Sequence, residues 1–205
     1  MAKRSARGDM LRLSLAREAA RIMIEHGVDD HLFAKRKAAE RLGVTDQAVL
    51  PKNIEIEAAL AEHQRLFAPA THASELNGLR RAALRAMRLL VEFQPRIVGP
   101  VLSGTATAHS DIQLHLFADT PETVAISLIE RGIRHRVAER RVKLQRDENV
   151  AFPSIRLEVD GHEVDATVFP RDGIRQPPMS PVDGRPMRRA TAEELSALLD
   201  AEAAA

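Results

Sequence analysis

Two acids and one amide are the residues of this chain best placed to do chemistry. Asp111 and Gln113 stand two apart in Ser110-Asp-Ile-Gln-Leu, and Asp165 lies in Glu163-Val-Asp-Ala-Thr-Val. Side chains two apart on a strand point the same way, so Asp111, Gln113 and His115 share one face of any strand formed here. Carboxylate and amide oxygens are donors of the kind magnesium takes, and His109 and His115 could be metal ligands beside Asp111. Plainer roles stay open. Asp111 could cap a turn with Ser110, Asp165 could face solvent, and both histidines could be polar surface. Glu163, on the Asp165 face, is a reserve carboxylate.

Composition removes much of the rest. The 205 residues contain no Cys, Trp or Tyr and only 6 Phe. Without Cys there are no disulfides, thiolate nucleophiles or Cys-ligated metals, and aliphatic side chains must build the core. No Gly-rich phosphate loop ending in Gly-Lys-Ser/Thr, no Gly-x-Gly-x-x-Gly, no His-Glu-x-x-His and no Gly-x-Ser-x-Gly occurs. No run approaches the ~20 apolar residues of a membrane span, and the basic start leads into an amphipathic stretch, not a signal-peptide core. The expectation is a soluble cytoplasmic protein without a membrane partner. Net charge is +1, split as 17 basic against 12 acidic residues in 1–100 and 13 against 17 in 101–205. A basic front half allows a nucleic-acid partner, and equally a solvated helical surface.

The elements that must position these residues fall into two halves. Up to Pro95 the apolar period is helical. Leu11, Leu15, Ala19, Ile22 and Met23 run to Gly27; further helices are expected over 32–42, 53–67 and 74–93. In the last, Ser74 is the cap, and Arg80, Arg81, Arg85 and Arg88 lie largely opposite the apolar stripe. Beyond Pro95 the spacing predicts strands over 96–103, 111–117, 137–144, 155–159 and 162–169, with a helix over 121–131. Asp160-Gly161 signals a two-residue hairpin. Residues 176–186 read as irregular and 191–201 as a closing helix, with an Ala-rich, frayed end after Glu202.

Strand, turn, strand, helix and strand pair, with Gly104-Thr105 closing the first strand, then Asp111-Ile-Gln113 and later Asp165, resembles the nucleotidyltransferase superfamily that includes DNA polymerase β. The resemblance covers roughly residues 75–170. It implies a Gly104-Thr105 phosphate turn, supported by Ser110, with Asp111 and Asp165 as catalytic carboxylates. Asp111, Gln113 and Asp165 would hold magnesium for transfer of a nucleotidyl group from a nucleoside triphosphate to a hydroxyl, if the site is active. Gln113 stands where the family carries its second carboxylate, and seven positions from Gly104 to Asp111 is a shortened spacing. Arg175 and Arg185, among five arginines after Phe169, could clamp phosphates bidentately or belong to a strap over the sheet.

Residues 35–49 (Lys-Arg-Lys-Ala-Ala-Glu-Arg-Leu-Gly-Val-Thr-Asp-Gln-Ala-Val) are similar to a bacterial helix-turn-helix. They imply a DNA-binding regulator as the alternative function, though Pro51 also allows a plain helical hairpin. The expected fold is α+β: an N-terminal helical region (1–72) packed on a small mixed-sheet nucleotidyltransferase-like domain (73–170), then an Arg/Pro-rich strap and C-terminal helix (171–205).

Overall fold

The computed structural model describes residues 2–67, 69–145 and 148–203. Ala204 and Ala205, in the Ala-rich end, lie outside them. The fold is α+β, with an N-terminal helical region and a five-stranded mixed sheet. The chain divides into two compact units. Unit 1 holds residues 1–73 with 107–110; unit 2 holds 74–106 and 111–205. The strap and closing helix fall within unit 2 with the sheet.

Unit 1 is built from α1 (Ala2–His26), α2 (His31–Arg41) and α3 (Asn53–Phe67). Its core is aliphatic: Leu15, Ala19 and Ile22 of α1 pack with Ala34, Ala38, Ile56 and Leu60. Asp30 caps α2 by accepting the N–H groups of Leu32 and Phe33. Segment 107–110 is tied in by Ser110, whose Oγ donates to Asp29 at 3.4 Å. His109 crowds Gly27, which takes φ +62°; a Cβ there would sit 2.7 Å from the imidazole ring.

Unit 2 begins within α4 (Pro69–Leu89), which starts earlier than the Ser74 cap expected from sequence because Pro69 suits a first helical turn. Next come β1 (Arg96–Val98), α5 (Gly99–Ser103), β2 (Ile112–Phe117) and α6 (Pro121–Glu130). Then follow β3 (His135–Gln145), β4 (Glu148–Val159), β5 (His162–Phe169) and α7 (Ala192–Ala203). The single strand expected over 96–103 is cut at Val98. Gly99 adopts φ +71°, and Pro100 opens the short α5. Asp160 and Gly161 take φ +52° and +78° between paired Val159 and His162, so the expected tight hairpin is present.

Sheet order is β1-β2-β5-β4-β3. β2 and β5 run parallel; the other neighbours are antiparallel. Alternation then sorts the side chains. Ile112, Leu114, Leu116, Val164, Ala166 and Ile155 join Leu79, Ala83 and Met87 of α4, Leu128 of α6 and Leu195 of α7 in one core. Gln113, His115, Asp165, Thr167 and Ser154 take the opposite face. No helix among the described residues is long and apolar enough to cross a membrane.

Arg80 corrects the expected polar side of α4. It is one turn from both Leu76 and Ala83, so the helix carries it inward, where it is 3% exposed. Its Nε donates to the Val101 carbonyl at 3.0 Å, and Nη1 pairs with Glu202 of α7. Arg80→Ala strands that buried carbonyl and releases α7. We expect a loss of ~2 kcal/mol or more in denaturant unfolding.

Candidate functional site: the polar face of the sheet

The register places Gln113 of β2 directly beside Asp165 of β5, and Asp165 beside Arg156 of β4. Asp165 is 2% exposed. Its carboxylate accepts a hydrogen bond from Arg140 Nη1 at 2.6 Å and another from the Ser154 hydroxyl, and Arg156 Nη2 lies 3.7 Å away. Such a group is a neutralised structural acid, since removing it from water demands matched charge and hydrogen bonds.

Asp111 stops one residue short of β2 and is partly exposed. Gln113 contributes an amide that packs on Gly99, where a Cβ would come within 2.7 Å of it. No group of three acidic or histidine residues suited to a metal ion occurs among the described residues. With both Asp165 oxygens engaged by donors and Gln113 neutral, these residues do not fit a two-metal centre.

The other expected site residues also fall elsewhere. The N–H groups of Gly104 and Thr105 both donate to the Pro100 carbonyl, at 2.8 and 3.1 Å, because the chain caps α5 there. They are not turned out as a phosphate cradle. Ser110 belongs to unit 1, its Oγ accepting the Thr107 N–H at 3.0 Å. His109 likewise belongs to unit 1 and His115 to the sheet. Glu163 pairs with Arg136 at 2.7 Å. Arg175 and Arg185 are exposed, on a 3-10 turn (Arg171–Arg175) and on the Asp183-Gly184 turn. In unit 1 the recognition helix implied after Gly43 is one 3-10 turn (Gln47–Val49); the next helix begins at Asn53, past Pro51.

What the face does assemble is a pocket of about 560 Å³. One end carries Arg140, Arg141, Lys143 and Asn149; the other carries Gln113 and His115, with Thr167 between them. Strap residues, Met179 and Met187 among them, wall its outer side. The strap is pinned at both edges of the sheet: the Met179 N–H donates to the Lys143 carbonyl at 2.6 Å, and Ile97 and Ala190 exchange backbone hydrogen bonds.

The strap arginine that turns inward is Arg189. It donates to the carbonyls of Gly173 and Ile174 and, through Nε, to His115 Nδ1 at 3.0 Å. Its guanidinium also lies 4.9 Å from the Phe117 ring centre and 5.4 Å from that of Phe169. Burial, then the Arg96 charge, lowers its pKa to about 10. Burial, then the charges of Arg189 and Arg140, lowers the His115 pKa to about 3.

Comparison with known proteins returns no matching family model, curated protein or solved structure. The site therefore stands on its own geometry. Sequence reasoning missed Arg140, Arg141 and Lys143, although Glu139-Arg-Arg-Val-Lys inside a strand was a readable signal: Arg141 and Lys143, two apart, share one face of the strand, with Arg140 on the other. It also missed Arg189, for which only the adjoining buried Ala190 gave a hint.

Two outcomes follow from this geometry. Imidazole NMR of His115 should show no titration from pH 8 to 5. Its folded pKa lies below the unfolded value near 6.5, so the unfolded chain binds the extra proton between about pH 6.5 and 3. Stability should thus fall with decreasing pH across that window, by up to ~1.4 kcal/mol per pH unit from this group, as read by unfolding at stepped pH. Gly99→Ala meets a left-handed backbone and the Gln113 amide together, and should lose ~1–2 kcal/mol in thermal unfolding.

Proposed function

We propose that this is a divergent nucleotidyltransferase-like protein that binds a nucleoside triphosphate in the sheet pocket, by its phosphates and without a metal centre of its own. The observation that carries this reading is that Arg140, Arg141 and Lys143 of β3 all line one end of an otherwise neutral, walled pocket, Arg140 being shared with Asp165. Guanidinium groups match phosphate oxygens with paired N–H donors, and Lys adds a mobile point charge. The element order and the Gln113–Asp165 juxtaposition on parallel strands support the nucleotidyltransferase-like frame.

Binding is the role assigned here, rather than transfer. Nucleotidyl transfer in the two-metal manner needs clustered carboxylates to activate the hydroxyl and offset the triphosphate charge. In this sheet that acidic position is filled by Gln113, and the remaining acid is balanced by Arg140 and Ser154. The pocket also contains no Phe, so a base gains nothing from aromatic stacking, and the phosphates dominate affinity.

Calorimetric titration with ATP, GTP, CTP and UTP, each with and without magnesium, tests the reading. At least one should bind, and Arg141→Ala and Lys143→Ala should each weaken it about tenfold, as loss of a charged hydrogen bond implies. Absence of binding to all four, or affinity unchanged in the double variant, overturns it.

A further inference from the structure

The pocket is chemically lopsided, and the lopsidedness orients a ligand. From β3 to β2 the face crosses β4 and β5, three interstrand spacings or roughly 14 Å. Cations cluster at the β3 end; at the β2 end the lining side chains are the Gln113 amide and the His115 imidazole. An elongated phosphoester laid along the pocket puts its anionic end on β3 and its organic end against His115.

The state of that imidazole is fixed by its surroundings. A guanidinium is always protonated, so Arg189 Nε–H donates and His115 Nδ1 must accept. The ring proton is therefore on Nε2. Among the described residues Nε2 forms no hydrogen bond of its own, while the ring lines the pocket. Turning the ring over would put Cδ2–H in place of Nδ1 against the guanidinium and forfeit that hydrogen bond. Arg189 is itself held by two carbonyls and two phenyl faces.

We propose that His115 is a specificity-determining residue of this pocket: its Nε2–H donates to an acceptor oxygen or nitrogen on the nucleoside end of the bound nucleotide. A ligand that offers a donor at that position is rejected, because two N–H groups would then face each other. The charged groups facing the ring are Arg189 from the strap, Arg140 from β3, Arg96 from β1 and Asp165 from β5, a net positive set that keeps the ring a neutral donor. The inference rests on the nucleotide-binding reading of the same pocket.

The test compares inorganic tripolyphosphate with the four nucleoside triphosphates by calorimetry on the full chain. His115→Asn keeps an oxygen that can accept from Arg189 but removes the donor at the Nε2 position; His115→Gln restores a donor near it. For the best-bound nucleotide, His115→Asn should weaken binding about tenfold, with recovery in His115→Gln, while tripolyphosphate affinity stays unchanged in both. Imidazole nitrogen NMR of the ligand-free wild-type protein should show the proton on Nε2. Nucleotide affinity unaffected by His115→Asn, or a proton on Nδ1, overturns this inference alone. Failure of the wild-type protein to bind any nucleotide or tripolyphosphate overturns the nucleotide-binding reading, and the inference with it.

Discussion

A carboxylate taken out of water must be matched by positive charge and hydrogen bonds, and Asp165 imposes that demand in the middle of the sheet. The consequences spread along the register. Ser154 on β4 supplies a hydroxyl, and Arg140 on β3 reaches across to supply a guanidinium. Arg156 lies beside it. Because these groups must stay on one face, Ile155 and Leu157 take the other, and so do the apolar residues of β5. One buried charge thus helps decide which side of the sheet meets the helices and which side is polar.

A second constraint acts through Arg189. A long cationic side chain among Phe117, Phe169 and His115 is held there because its Nε and Nη1 N–H groups find an imidazole nitrogen and two carbonyls, while Nη2 is buried without a partner among the described residues. These contacts draw the segment after β5 across the polar face. The pocket therefore has one wall made of sheet and another made of irregular chain. The irregular wall holds no periodic structure, so backbone contacts with β1 and β3 do the anchoring.

The alternating pattern of Ile112–Phe117 and His162–Phe169, and the Asp160-Gly161 turn between β4 and β5, were legible because period and turn chemistry act locally. So were the helices of unit 1. The end of β1 was not, because Val101 and Leu102 are as apolar as strand residues and only Gly99-Pro100 redirects the chain. Arg80 was misplaced for a related reason: its burial depends on α7, more than a hundred residues away. In the site, Asp165 was found by residue type, but its role turned on partners that no spacing rule links to it. Arg140 lies on a strand with no local tie to β5. The Gly104-Thr105 turn was located, yet its N–H groups close α5 onto Pro100, a geometry that composition does not encode.

The strap also bears on how the molecule keeps to itself. A sheet exposes unpaired N–H and C=O groups along its two outermost strands, and another chain can extend it there. In this sheet those strands are β1, only three residues long, and β3, which carries Arg136, Arg140, Arg141 and Lys143. The same run of chain bonds to both, Ala190 to Ile97 and Met179 to Lys143. A segment that walls the pocket thus also occupies backbone positions at each margin of the sheet, leaving less of it open to edge-to-edge aggregation.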